Sequence, residues 1–202
     1  MNARQRGPTP PAALALLDAR PGHFRLAVAL THTVPELVLR GIIDPYSATI
    51  LAQLPQHVYA PAALLAWSKC RWNELAAVDM EAVVAGRRWR IFPSKGSQER
   101  WIRPYMGTVE RYWRNVPITV PVSIVGYSSL CAALAAAQDA AGITVPDQHH
   151  SKTHIFRHFY ASWRNARGAL IEDIAHELGH YSTDSTRRYI HEVSDLIVQP
   201  TR

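Results

Sequence analysis

Apolar residues recur at helical spacing through most of the chain, interrupted by one short stretch of strand-like character. The first 61 residues hold 8 of the 14 prolines. Each internal proline removes an amide donor and crowds the preceding turn, so only short helical pieces are expected there. These fall at Ala12–Ala19, Pro35–Arg40 and Tyr46–Leu54. Pro61 suits the first turn of an apolar helix over Ala62–Ser68, and Asn73–Val78 reads as another short helical segment. Three runs then turn strand-like: Ala82–Ala85, Arg88–Phe92 and Arg100–Arg103, with Gly86 and Lys95-Gly96-Ser97 supplying turns between them. Helical character returns over Thr108–Asn115 and Val125–Ala141, the second ended by Gly142. Thr153 caps a helix running through Ala166. Ile171–Leu178 is a further helix with Gly179 as its stop, and Ser182–Thr186 supplies a turn before a last helix carrying Thr186–His191. The pattern predicts a mainly α protein with a small three-stranded antiparallel β-sheet.

Composition narrows the class. At 48% hydrophobic and 19% charged, the 202-residue chain is too apolar for a disordered tail. It lacks the run of about 18 apolar residues that a membrane span requires. Two cysteines, Cys70 and Cys131, argue against a disulfide-dense secreted scaffold. The N-terminal MNARQRGPTPPAAL has no apolar core of the signal-peptide kind, so a cytoplasmic protein is expected.

Charge adds a location. The net charge of +6 is compatible with many partners, but residues 69–114 alone carry 10 basic and 5 acidic side chains. Arg87, Arg88, Arg90, Lys95, Arg100 and Arg103 lie close together there. Residues 115–148 carry no basic side chain and 2 acidic ones. The basic stretch reads either as a solvated hairpin or as a phosphate-facing surface.

The densest chemistry lies in the last fifty residues. In Thr153-His154-Ile155-Phe156-Arg157-His158, His154 and Arg157 share a helical face. Leu178-Gly179-His180 follows, with His180 23 residues after Arg157, and Tyr189 comes 9 residues after His180. A tyrosine can attack phosphorus when cations stabilise the phenolate and the developing phosphorane. Arginine forks fit non-bridging phosphate oxygens, and histidine exchanges protons near neutral pH.

This run resembles the C-terminal catalytic motif of the tyrosine recombinases, the family of phage integrases and Xer-type resolvases: His-x-x-Arg-His, then Leu-Gly-His, then a nucleophilic tyrosine. Upstream, Cys70-Arg71-Trp72-Asn73-Glu74-Leu75 is similar to the family's Arg-x-x-Glu-Leu box. Lys95, in Ser94-Lys95-Gly96-Ser97-Gln98-Glu99-Arg100, occupies a turn between strands as the family's hairpin lysine does. The resemblance implies a DNA breaking-and-rejoining catalytic core over residues 46–191, and the chain departs from the family before it, where a short proline-rich segment (1–45) is expected in place of a full core-binding domain. A tail, 192–202, follows and is a candidate for docking on a neighbouring protomer.

Carried over by position, the resemblance implies that Tyr189 forms a 3′-phosphotyrosine and releases a 5′-hydroxyl. Arg71 and Arg157 would hold the non-bridging oxygens, and Lys95 would protonate the leaving oxygen. His154 would assist proton transfer and His180 would hydrogen-bond the phosphate. Neither metal nor ATP is needed, because the covalent intermediate preserves the phosphodiester energy. The implied partner is double-stranded DNA at a specific site, gripped by a homotetramer. Lys69, Arg87, Arg88, Arg90, Arg100, Lys152 and Arg187 are the residues expected to bind DNA. The chain departs from the family in one local respect: Lys69-Cys70 stands where Gly-Leu usually precedes the first arginine.

Three other readings compete. A type IB topoisomerase uses the same constellation to relax DNA, and a DNA-binding relative could retain the fold without catalysis. His176-Glu177-Leu178-Gly179-His180 also satisfies the zinc-peptidase pattern His-Glu-x-x-His. Against the zinc reading, Thr183 and Thr186 stand where the extended motif needs Gly and His, and Gly179 favours a helix end before His180. His149-His150 reads as a polar loop, His158 as a brace for the site, and Cys70 and Cys131 as small buried hydrophobes.

Overall fold

A computed structural model describes residues 10–92, 97–104, 109–118, 125–143 and 152–197, the side chains of 10–20 and 191–197 excepted. Helices dominate: α1 (Pro10–Leu39), α2 (Pro45–Ala52), α3 (Gln56–Ser68), α4 (Trp72–Leu75) and α5 (Met80–Val84) precede a hairpin of β1 (Trp89–Ile91) and β2 (Arg100–Ile102). Then come α6 (Glu110–Trp113), α7 (Tyr127–Ala140), a 3₁₀ turn over Lys152–His154, α8 (Ile155–Ala166), α9 (Ile171–Leu178) and α10 (Thr183–Ile197).

Two expectations are corrected. The proline-rich start forms one 30-residue helix with Pro21 and Pro35 inside it, in place of separate pieces. Pro35 leaves the Thr31 carbonyl without its amide donor, but α1 packs along α3 and α6. Burial of Leu26, Leu30, Val34 and Leu37 outweighs that lost bond. The second correction concerns the sheet, which has two strands among the described residues where three were expected. Ala82–Ala85 lies largely within α5, because Asp79 caps that helix by accepting from the Ala82 amide at 3.0 Å. The expected strands Arg88–Phe92 and Arg100–Arg103 do pair, antiparallel, with Trp89 opposite Ile102 and Ile91 opposite Arg100. Their alternation puts Trp89, Ile91, Arg100 and Ile102 inside and Trp101 outside.

The main core joins α1, α3, the hairpin and the start of α8, and three buried tryptophans mark its centre. Trp67 meets Trp89 at 5.8 Å and Trp113 at 6.2 Å between ring centroids, both edge to face. Trp113 also donates its indole N–H to Thr33 Oγ1 at 2.9 Å, fastening α6 to α1. A second cluster of Tyr160, Ala161, Ile174, Leu178 and Ile190 holds α8, α9 and α10 together, with Tyr189 packed on its edge. Among the described residues no helix is long and apolar enough to cross a membrane.

The α1–α6 bond has a measurable weight. Thr33→Val keeps the shape but leaves the buried Trp113 indole without its acceptor. Chemical denaturation should show a loss of about 1–3 kcal/mol.

Candidate active site

Five of the six predicted catalytic residues are described, and they come from several elements. Arg157 and His154 come from α8 and its preceding turn, while His180 follows α9 and Tyr189 lies on α10. Arg71 caps α4 from the loop after α3. Lys95 lies outside the described residues. The other five converge. The Tyr189 ring lies 6.4 Å from His154, 5.1 Å from His180 and 4.0 Å from His158, centroid to centroid. The Arg157 guanidinium carbon is 5.9 Å from the centre of the same ring.

Arg157 is 1% exposed. It donates through Nη1 to the Lys69 carbonyl and through Nη2 to the Leu178 carbonyl at 2.8 Å. Nη2 also lies 2.8 Å from His180 Nε2. No carboxylate pairs with Arg157 among the described residues, and its Nε has no hydrogen-bond partner there. Burial lowers the Arg157 pKa to about 10, so the group stays charged at neutral pH. The result is a buried cation hydrogen-bonded, among the described residues, to carbonyls and one imidazole, a costly state that an anion would relieve.

The tautomer of His180 follows from its neighbours. A guanidinium has no acceptor, so Nε2 must accept from Arg157 and the ring proton sits on Nδ1. Nδ1 then donates to Thr186 Oγ1 at 2.8 Å, a buried hydroxyl on α10. Burial, followed by the charges of Arg157 and Arg71, lowers the His180 pKa to about 3. Held this way, the ring orients Arg157. Donation to a phosphate, the role implied by the resemblance, requires the proton to move to Nε2.

A buried carboxylate fixes the first arginine. Glu74 Oε2 accepts from the Arg71 amide at 2.8 Å and from Arg100 Nη2 at 3.1 Å. Its Oε1 accepts from Ser97 Oγ at 2.8 Å and faces Arg71 Nη1 at 3.6 Å. One carboxylate thus ties Arg71 to the limb of the hairpin just beyond Lys95. The Gln98 amide extends the tie by donating to the Gly179 carbonyl at 2.8 Å. Gly179 has φ 69°, and a Cβ there would lie 2.8 Å from Arg100 Nη1 and 2.9 Å from the Gln98 carbonyl. Only glycine fits both that backbone and that contact.

Two of the residues expected to bind DNA, Lys69 and Arg100, are buried. Lys69 is 6% exposed and ends α3 in the left-handed conformation, φ 52°, the one non-glycine to do so among the described residues. Its ammonium donates to the Ile42 and Trp67 carbonyls and sits 4.0 Å over the Tyr160 ring. Arg100 is 3% exposed, and its charge meets Glu74 and the Lys69 carbonyl. Both side chains are engaged within the chain. Of the rest, Arg87, Arg88 and Arg187 are exposed and Arg90 and Lys152 half-buried. Arg87 pairs with Glu81 at 3.0 Å and Arg90 with Glu99 at 3.3 Å.

Sequence reasoning gave no role to Glu74, Ser97 or Thr186, and cast His158 as a brace although its ring is the nearest imidazole to Tyr189. The three-residue spacing of Arg71 and Glu74 was a usable signal for a helix-start bond. Nothing in the pattern marks Thr186, whose role depends on how α10 lies against His180. The zinc pattern is not assembled: α9 ends at Leu178, and both ring nitrogens of His180 face other partners. Among the described residues no group of three or more His, Cys, Asp or Glu could hold a metal ion. No protein-family model matches the chain, and a search of curated proteins finds no match.

Two measurements test this geometry. The neutral His180 ring means the folded chain binds fewer protons than the unfolded one below the ordinary pKa of 6.5. Its share of stability is therefore complete above that pH and is lost as pH falls toward about 3. Asp44, whose pKa burial raises to about 6, acts in the opposite sense but is common to both proteins compared. The stability advantage of wild type over His180→Gln should shrink between pH 7.5 and 5 in thermal melts. Gly179→Ala should cost at least about 2 kcal/mol in urea denaturation, from backbone strain and overpacking together.

Proposed function

We propose that the chain is a DNA strand transferase of the tyrosine recombinase type, acting on duplex DNA through a covalent 3′-phosphotyrosine. The observation that carries this reading is the pairing of a buried, carboxylate-free guanidinium at Arg157 with a phenol, Tyr189, ringed by three imidazoles. A cation kept uncompensated beside a nucleophile suits a phosphodiester, whose charge grows as the phosphorane forms.

In this reading Tyr189 Oη attacks the scissile phosphorus, the P–O5′ bond breaks, and the phenolic proton passes to an imidazole on the α8 side, from His158 or His154. Arg157 and Arg71 hold the non-bridging oxygens, Arg157 oriented by His180 and Arg71 by Glu74. The departing O5′ takes a proton and leaves as a 5′-hydroxyl, with Lys95 the donor that its hairpin position implies. Attack by a 5′-hydroxyl on the phosphotyrosine reverses the steps. The phosphodiester energy is retained, so no nucleotide is consumed. Exposed Arg87 and Arg187, with Lys152, supply sequence-independent phosphate contacts. A tetramer on two duplexes, in the cytoplasm, completes the proposal.

The test uses nicked duplexes of randomised sequence, in which the short fragment bearing the freed 5′-hydroxyl diffuses away and strands the covalent enzyme. A denaturing gel should show a protein–DNA adduct that disappears in Tyr189→Phe and falls by at least about 10²-fold in Arg157→Ala. Binding without an adduct in wild type would leave a DNA-binding protein and overturn catalysis. Relaxation of supercoiled plasmid without site preference would assign a topoisomerase instead. Affinity for duplex DNA should drop steeply with salt through counterion release, and a flat response would remove the phosphate-facing surface.

A further inference from the structure

A cleft of about 1080 Å³ lies beside the catalytic constellation and contains none of Arg71, His154, Arg157, His180 or Tyr189. The end of α1, the hairpin, α8 and α9 form its walls, and it shares only Lys69 and Arg100 with the surroundings of the site. Its charge is one-sided. Two carboxylates line it, and both are already paired: Glu99 with Arg90 at 3.3 Å and Glu177 with Arg164 through two bonds, at 3.0 and 3.2 Å. The Tyr160 hydroxyl also donates to Glu177, at 3.0 Å. Arg88, Arg103 and Arg167 line the cleft, are exposed, and meet no carboxylate among the described residues.

The rest of the wall is apolar. Val38, Leu39, Ile42 and Pro45 line one side, and Leu39 is 84% exposed. Trp101 and Trp163 each have guanidiniums over their rings. Arg88 lies 5.5 Å and Arg90 5.9 Å from the Trp101 ring, while Arg167 lies 5.2 Å and Tyr160 6.1 Å from Trp163. A phosphodiester strand would satisfy the guanidiniums but gain nothing from the aliphatic side. Carboxylates spaced around an aliphatic side chain would satisfy both.

We propose that this cleft binds an acidic peptide segment of a partner protein. Its carboxylates pair with Arg88, Arg103 and Arg167, and an apolar residue packs on Leu39, Ile42 and Pro45. The proposal is independent of the catalytic reading. It is tested on the full chain by fluorescence anisotropy, with a panel of labelled octapeptides placing Asp or Glu around Leu, Val or Phe at every spacing. Members of the panel should bind, lose affinity about tenfold or more in an Arg103→Glu, Arg167→Glu double variant, and weaken with salt. Leu39→Asp, at an already exposed position, should weaken the same peptides and guards against a misfolded double variant. Absence of binding across the panel, or equal binding when Gln replaces every Glu and Asp, would overturn the proposal. Competition by a 20-base-pair duplex that depends on Arg103 and Arg167 would give the cleft to DNA. Self-association of the chain lost in the double variant, with no peptide bound, would give it to a second copy.

Discussion

The Lys69 carbonyl is the point on which the two halves of the molecule meet. It projects from the end of α3, in the main core, and accepts from Arg157 on α8 and from Arg100 on β2. Helix α3 can present it there because the chain turns left-handed at Lys69, a conformation that costs a side-chain-bearing residue roughly 1 kcal/mol or more. The lysine side chain offsets that cost by bonding the Ile42 and Trp67 carbonyls and covering the Tyr160 ring. Both the site and the neighbouring cleft inherit their shape from this residue.

Around that carbonyl the charges are deliberately unequal. Arg100 has the carboxylate of Glu74 and Arg71 shares it, so two cations are held by one buried anion. Arg157 pairs with none among the described residues. Two carbonyls and the lone pair of a neutral imidazole hold it. That imidazole is kept neutral first by burial and then by the cations near it, so the charge of Arg157 and the neutrality of His180 support one another. A second carboxylate near Arg157 would make the chain more comfortable and the anion site weaker.

The sequence carried the helices of the C-terminal half because their apolar spacing and glycine stops are local signals. Ile171–Leu178 ends at Gly179 as expected, and the two paired strands fall where alternation put them. It failed at α1, where local proline chemistry argued for breaks and long-range packing on α3 prevailed. It failed again at Ala82–Ala85, a β-favouring run captured by the Asp79 cap. For the site, the order and spacing of Arg71, His154, Arg157, His180 and Tyr189 were legible as a motif. The burial of Lys69 and Arg100 was not, because a basic residue in a basic stretch looks the same whether it faces solvent or a carbonyl. Thr186 was invisible for a related reason: its partner is decided by how α10 docks.

The bond from the Gln98 amide to the Gly179 carbonyl has a practical use. It closes only when the hairpin limb, tied through Ser97 to Glu74 beside Arg71, and the junction that carries His180 sit together. Hydrogen exchange at this single amide therefore counts the fraction of molecules in which the site is assembled. It does so without substrate, metal or turnover, and separately from the tryptophan core, which reports on the fold as a whole.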